Sequence, residues 1–394
     1  MENLDNKKIV VGLSGGVDSS VAAFLLKDTS NEVSAIFMQN WNDTTGILDG
    51  ECHWEDDLDF AQLISNQLNI PLSKVDLSEE YRKRIVDYMF SEYDAGRTPN
   101  PDILCNREIK FDVFLDIVLE SGAEYVATGH YCGKSYDKST NEYKLLSGID
   151  SNKDQSYFLS QLNQYQLSKA IFPISEILKE DVRKIAKQNK LATHSKKDSQ
   201  GLCFIGKVDL PTFLKQKLIP RSGDVIEISN EVGLDIVKEI DFTDHNKASK
   251  PYNFTPNLGD VIGRHKGVQF YTIGQRKGLG LGGFPKPLFV LHIDNKENII
   301  YVGQGLDHPL LKRKGLFIKS SEVHWIRPSQ KMELNEQRNY KVRFRHRQAL
   351  QDALLIQNKD SLIIYFNEFQ EGISPGQFAA WYDGRECLGS GPIS

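Results

Sequence analysis

The string Gly12-Leu13-Ser14-Gly15-Gly16-Val17-Asp18-Ser19-Ser20 constrains the fold more than any other part of this 394-residue chain. An apolar run at residues 8–13 delivers the chain into Ser-Gly-Gly, and a helical pattern over residues 17–27 begins directly afterwards. The glycines permit a tight turn that aims successive N–H groups at one oxyanion, and the helix N-terminus adds its positive end. Ser14 and Ser19 bring hydroxyl donors to the same anion. A Walker A loop is excluded, because Asp18 and Ser19 stand where its lysine would be. A strand that turns into a helix around an anion predicts a parallel α/β domain.

The pattern continues that way for two hundred residues. Apolar runs at 33–38, 72–77 and 125–128 predict strands, and helical spacing marks 56–68, 79–93 and 108–119. The expected architecture is a doubly wound parallel sheet with its ligand at the C-terminal ends of the strands. In Thr98-Pro99-Asn100-Pro101-Asp102 two prolines predict a stiff, extended loop. Past residue 208 helical periodicity fades and short alternating runs appear at 267–272, 288–293, 299–302, 340–345 and 362–366. These predict a small β-rich middle domain and then a C-terminal β-barrel. The expected bounds are 1–208 for the catalytic domain, 209–280 for the central domain and 281–394 for the barrel. Residues 239–257 read as a surface insertion.

Composition narrows the function classes. A hydrophobic fraction of 40% with 26% charged residues fits a soluble globular protein, and no apolar run reaches membrane-spanning length. The first apolar segment runs straight into the glycine turn, so it reads as a strand and not a signal sequence, and a cytoplasmic protein is expected. Five cysteines (Cys52, Cys105, Cys132, Cys203 and Cys387), none spaced C-x-x-C, argue against a disulfide scaffold, a structural metal or an iron–sulfur cluster. A net charge of −5 leaves nucleic-acid binding to a local basic face. The best such clusters are Lys312-Arg313-Lys314 and residues 341–347, where alternation puts Arg343, Arg345 and Arg347 on one strand face, opposite Phe344 and His346.

Two cysteines stand in contexts that favour a thiolate. Cys105 lies between the proline loop and a helix, with Arg107 close in sequence, and a helix N-terminus or a cation lowers a thiol pKa. Asp102, three residues earlier, is placed for general acid/base work. Cys203 sits in Ser199-Gln200-Gly201-Leu202-Cys203-Phe204-Ile205-Gly206, after the basic run at 194–197. Cys52, Cys132 and Cys387 occupy no reactive motif and read as packing residues.

The S-G-G-V-D-S-S string resembles the pyrophosphate loop of the N-type ATP pyrophosphatases, enzymes of adenine nucleotide alpha hydrolase-like fold that adenylate a carbonyl oxygen. Together with T-P-N-P-D-I-L-C-N at 98–106 and S-Q-G-L-C-F-I-G at 199–206, the chain resembles the tRNA-specific 2-thiouridylases (the MnmA/TrmU family). The likeness continues through Ala127-Thr128-Gly129-His130-Tyr131, Lys153-Asp154-Gln155-Ser156-Tyr157, residues 272–280 and Ser374-Pro375-Gly376-Gln377. The resemblance implies ATP, with Mg2+, held by Gly12, Leu13, Ser14, Gly15, Gly16, Val17, Asp18, Ser19, Met38 and Gly129. It implies adenylation of C2 of uridine 34 in tRNA and a persulfide on Cys203, loaded by a sulfur-relay protein. It also implies a transient Cys105–Cys203 disulfide. Asn100, Pro101, Asp102, His130, Lys153, Asp154, Gln155, Arg345, His346 and Gln377 would contact tRNA, with the anticodon base splayed and stacked rather than read in a groove.

Overall fold

The computed structural model describes residues 6–29, 31–42, 54–198 and 209–394, so Cys52 and Cys203 lie outside the described residues. Strand β1 (Lys8–Gly12) sends alternate side chains to opposite faces: Ile9 and Val11 join one apolar cluster, Val10 another. Two clusters are needed because a parallel sheet is covered on both sides. Strands β2 (Glu32–Gln39), β3 (Leu72–Asp76) and β4 (Tyr125–Ala127) follow, then a hairpin of β5 (Cys132–Asp137) and β6 (Glu142–Ser147), then β7 (Ala170–Ile171). Five of these form a parallel sheet in the order β3-β2-β1-β4-β7. Helices α1 (Val17–Lys27) and α2 (Trp54–Leu68) cover one face with Val21, Ala22 and Ile64. Helical segments between residues 78 and 120 cover the other with Tyr81, Ile85 and Phe114. The chain steps outward from β1 to β3 and then returns to the far side of β1. That reversal makes a topological switch point at the C-terminal ends of β1 and β4, the place where α/β sheets bind ligands.

The middle sheet joins β8 (Gly223–Glu227), β9 (Asp260–His265), β10 (Leu288–Asp294) and β11 (Ile299–Gln304) in the order β10-β11-β8-β9. The C-terminal barrel is built from β12 (Lys312–Lys319), β13 (His324–Trp325), β14 (Gln337–Arg343), β15 (Gln351–Gln357), β16 (Ser361–Glu371), β17 (Phe378–Asp383) and β18 (Glu386–Pro392). Leu316, Phe344, Leu355, Phe366 and Trp381 fill its core. Its sheet does not stop at its own strands: β18 pairs with β6, so the hairpin from the first two hundred residues extends it.

Three sequence expectations need correction here. Strands β10 and β11 belong to the middle sheet, past the expected boundary at residue 280, because alternation along a chain reports a strand and not its partner. Residues 267–272 are not a strand; Gly267, at a φ of 142°, opens a 3-10 turn at Val268–Phe270. The stretch 239–257 is no bare surface insertion, since Ala248, Ser249 and Tyr252 are buried. Arg313 donates to the Ser249 carbonyl at 2.6 Å and Tyr252 donates to the Lys312 carbonyl at 2.6 Å, which ties this stretch to β12.

Buried charge joins the first and last parts of the chain. Arg327 donates to Asp137, Glu142 and Glu386 at 3.0, 3.1 and 3.0 Å, locking the β5–β6 hairpin to β18. Arg343 pairs with Asp154 at 2.7 Å, both side chains buried, and Asp154 also accepts from the backbone N–H groups of Gly148 and Ser156. Removing one partner of such a pair leaves a naked buried charge. Arg343→Met is therefore expected to lower the unfolding free energy by about 3–5 kcal/mol in urea denaturation. A change inside about 0.5 kcal/mol, the range of neutral surface substitutions, would rule out this pair as a structural tie.

Candidate functional site

The backbone at this switch point packs so closely that its glycines have no alternative. Gly15 takes a φ of 69°, and a Cβ on it would lie 2.1 Å from the Asp57 carbonyl oxygen at the start of α2. Gly129, just past β4, packs on the first turn of α1; a Cβ there would fall 2.7 Å from the Asp18 carbonyl carbon and the Ser19 nitrogen. Within the loop, Ser19 Oγ accepts from the Ser14 N–H at 3.2 Å, donates to the Gly16 carbonyl at 3.2 Å and lies 3.1 Å from Ser14 Oγ, so the two hydroxyls sit side by side. Met38, near the end of β2, reaches back over Gly12. Gly12, Ser14, Gly15, Gly16, Asp18, Ser19, Met38 and Gly129 are thus gathered at one end of the sheet. Leu13 and Val17 are buried and serve its packing.

Asp18 is the hub of an ionic cluster that the sequence did not disclose. It accepts from Lys179 Nζ at 2.7 and 2.8 Å and from the Tyr131 hydroxyl at 2.7 Å. Lys179, buried at the start of the helix Lys179–Gln188, also meets Asp198 at 2.8 Å. Asp198 is reached in addition by Lys153 at 2.7 Å and Arg183 at 2.6 Å. Burial works to raise the Asp198 carboxyl pKa, but the hydrogen bonds and charges of Lys153 and Lys179 prevail and hold it well below the usual carboxylate range. The i,i+4 spacing of Lys179 and Arg183 shows that they share a helix face. Nothing in the sequence says that this face looks at the glycine loop.

The proline loop departs from expectation. Pro101 begins a helix instead of preventing one: Asn100 caps it, accepting from the Ile103 N–H at 3.4 Å, and proline at the first helical position loses no hydrogen bond. The helix Pro101–Leu104 continues into wider π-type turns at Cys105–Val113, so Cys105 lies beyond the first turn, where the dipole fades. Cys105 is fully buried, in the same apolar cluster as Met38 and Val10. Arg107 is committed elsewhere, to Glu108 at 2.6 Å and Gln161 at 2.8 Å.

The expected RNA face is only partly a surface. Asp154 and His130 are buried; His130 shares a 2.8 Å hydrogen bond with Thr128 through Nδ1, and burial lowers its pKa. Gln155 ties back to Tyr131, accepting from its N–H at 3.0 Å. Strand β14 ends at Arg343, whose side chain points inward, so the three arginines do not share a strand face. Arg345 and Arg347 stay exposed in the turn that follows, with Arg347 at a φ of 64°, and His346 is half-buried against Phe158 at 4.4 Å between ring centroids. In the other basic cluster, burial takes Arg313 inward. Gln377 points at the chain itself, donating to the Thr98 and Pro99 carbonyls at 3.0 Å each. Thr98 in turn donates to the Pro375 carbonyl at 2.8 Å. The C-terminal barrel thereby grips the segment that opens onto Asn100, Pro101, Asp102 and Cys105.

Cys132 and Cys387 are buried, and desolvation pushes both thiols up, Cys387 to about 12. Both pack in the apolar cluster on one face of the parallel sheet. Among the described residues, no three His, Cys, Asp or Glu side chains are grouped to hold a metal ion, and no helix is long and apolar enough to cross a membrane.

Comparison with known proteins agrees across the whole chain. Residues 7–207 match the family described as tRNA methyl transferase HUP domain, 241–304 the tRNA methyl transferase PRC-barrel domain, and 316–393 the aminomethyltransferase beta-barrel domain. The tRNA-specific 2-thiouridylase MnmA of Christiangramia forsetii is 53% identical over 98% of this chain and 100% of its own length. That of Flavobacterium johnsoniae is 51% identical over 98% and 100%. The Bacillus subtilis protein of the same name is 42% identical over 99% and 95%. More distantly, a solved 4-thiouridine synthetase–RNA complex with bound ATP aligns with TM-score 0.32 and 17% identity over 53% of this chain and 50% of that one.

The packing at Gly129 makes a test. Gly129→Ala forces the Asp18–Ser19 backbone to shift, an overpacking cost of about 1–3 kcal/mol. If that backbone holds nucleotide, ATP affinity should fall about five- to a hundredfold by titration calorimetry. An unchanged affinity would place the nucleotide elsewhere.

Proposed function

The chain belongs to the tRNA-specific 2-thiouridylase family, the tRNA-uridine 2-sulfurtransferases, and on that premise we propose that its crevice activates the wobble uridine 34 of tRNA with ATP and that its cysteines insert the sulfur. Gly12, Leu13, Ser14, Gly15, Gly16, Val17, Asp18, Ser19 and Gly129 form the phosphate-side wall, and Met38 lies against the adenine. Mg2+ would be held through the substrate phosphates and a carboxylate, and the carboxylate beside the loop is Asp18, which would exchange a contact from Lys179 or Tyr131 for the ion. It would neutralise charge on the phosphates. The chain's own donors, the Ser14 and Ser19 hydroxyls and the N-terminus of α1, orient the α-phosphate toward the C2 oxygen of the base. Attack by that oxygen forms an O–P bond and releases pyrophosphate.

Sulfur follows. The terminal sulfur of a Cys203 persulfide, loaded by a sulfur-relay protein, attacks C2 and expels AMP. Cys105 then attacks Cys203 Sγ, which breaks the S–S bond, leaves the sulfur on C2 as 2-thiouridine and closes a Cys105–Cys203 disulfide. An external thiol must reopen it. Asp102 serves as acid/base at the base, with Asn100 and Pro101 beside it. Of the remaining tRNA contacts, Arg345, His346 and Lys153 suit an RNA phosphate or base best, since they are not fully buried. Asp154, Gln155, His130 and Gln377 act by positioning. The enzyme works in the cytosol, with its tRNA.

One observation supports placing Cys105 at the base: the barrel's Gln377 and Pro375 hold residues 98–99, directly before the Asn100 cap that starts the Cys105 helix. A tRNA bound to the barrel is then in register with that helix. Cys105→Ser and Cys203→Ser are each expected to abolish 2-thiouridine formation, followed by mass spectrometry of tRNA after incubation with ATP and a persulfide donor. ATP affinity should stay within about twofold in both, because in this scheme the thiols act after the nucleotide has bound. Full thiolation by either variant would sink the mechanism. Gln377→Ala is expected to cut thiolation about tenfold or more through loss of two hydrogen bonds to the loop, with tRNA affinity changed far less.

A further inference from the structure

From Val261 to Ile293 the chain holds no Asp or Glu and five Lys and Arg, although its net charge is −5. Residues 274–287 of this stretch form a loop of the middle domain, and the loop has a built shape. Leu279, Leu281 and Phe284 anchor it in the apolar cluster of the middle sheet. The Gln275 side chain clips its start, accepting from the Thr272 N–H at 3.0 Å and donating to the Lys277 carbonyl at 2.8 Å. Arg276 and Lys277 stand exposed beside that clip. Lys286 is matched by Asp307 at 3.3 Å, but among the described residues Arg276 and Lys277 have no carboxylate partner. The N–H groups of residues 276–284 likewise find no acceptor among the described residues. Left-handed backbone at Gly278, Gly280 and Gly283, with φ of 86°, 70° and 88°, is the kind that gathers such donors into anion-binding concavities. The loop borders a cleft of about 440 Å3.

Its position says which anion. Thr272, just before the loop, has its hydroxyl oxygen 3.5 Å from that of Thr98, in the segment that opens onto the Asn100 cap. A Cβ on Gly274 would lie 3.9 Å from Gly372, and one on Gly372 would lie 2.6 Å from the Arg345 guanidinium. The loop therefore continues onto the middle domain the surface on which Arg345 and His346 stand. Unpaired cations and open amide donors spread along such a surface suit a row of phosphates. We propose that residues 274–286, with Arg276 and Lys277 foremost, hold the sugar–phosphate backbone of the tRNA arm that presents uridine 34. The inference rests on the reading that uridine 34 is brought to the Asn100–Cys105 segment, and it adds the middle domain to the barrel as a second hold on the RNA. Such contacts fix register and leave base identity to the site itself.

Fluorescence anisotropy of the full chain with labelled tRNA and with the isolated anticodon arm, over a range of salt, tests this. Arg276→Gln and Lys277→Gln are each expected to weaken both RNAs about three- to tenfold near physiological salt. Each should also flatten the plot of log affinity against log salt by about 0.7–0.9, the mark of one lost phosphate contact. Lys27→Gln, an equal loss of charge at the far end of α1, should leave affinity and slope unchanged. Weaker binding with an unchanged slope would overturn the proposal, because a disturbed fold and not a lost phosphate contact would then be the cause. Unchanged binding of the anticodon arm by both variants would overturn it too. If those variants also took sulfur more slowly from a persulfide protein, the loop would belong to that partner instead. If the unaltered chain does not bind the anticodon arm, the uridine 34 reading falls and this proposal with it.

Discussion

The end of β4 touches the start of α1 with no room for a side chain, and the site depends on that approach. Gly129 brings the backbone after β4 against Asp18 and Ser19, while Asp57 closes over Gly15 from the other side. The contact fixes where the α1 N-terminus points, and with it the dipole and the two serine hydroxyls. It also sets the position of Tyr131, two residues on, whose hydroxyl holds Asp18. Looser packing would leave the same residues present and the anion site blurred.

The second dependence is between the two ends of the chain. The β5–β6 hairpin belongs by sequence to the α/β part and by hydrogen bonding to the barrel. Arg327 with its three carboxylates and the Arg343–Asp154 pair hold that junction in buried surroundings. Buried pairs of this kind add little net stability but tolerate few alternative arrangements, because every misplacement strands a charge. Gln377 carries the same order to the Cys105 segment. The barrel and the α/β part thereby become one structure, although the strands that join them, β6 and β18, are more than two hundred residues apart.

Local chemistry made much of this legible. The strand, the glycine turn and the helix after it were readable because each obeys a short-range rule: alternation, φ freedom and a helical repeat. The misreadings came where long-range pairing or burial decided. Arg343 looked like a member of an exposed arginine face, yet it neutralises Asp154 inside the protein. Pro101 looked like a helix breaker, yet it stands at the one helical position where a proline costs nothing. Strands β10 and β11 were recognisable, but not the sheet they join.

The sequence alone determined the ATP-type loop and the doubly wound sheet, because these are written in contiguous residues. Only the tertiary structure decided that Lys153, Lys179, Arg183 and Asp198 surround that loop and that the barrel grips the Cys105 helix. Ionic clusters and domain contacts are set by distances in space, and residues far apart in the chain carry no mark of meeting.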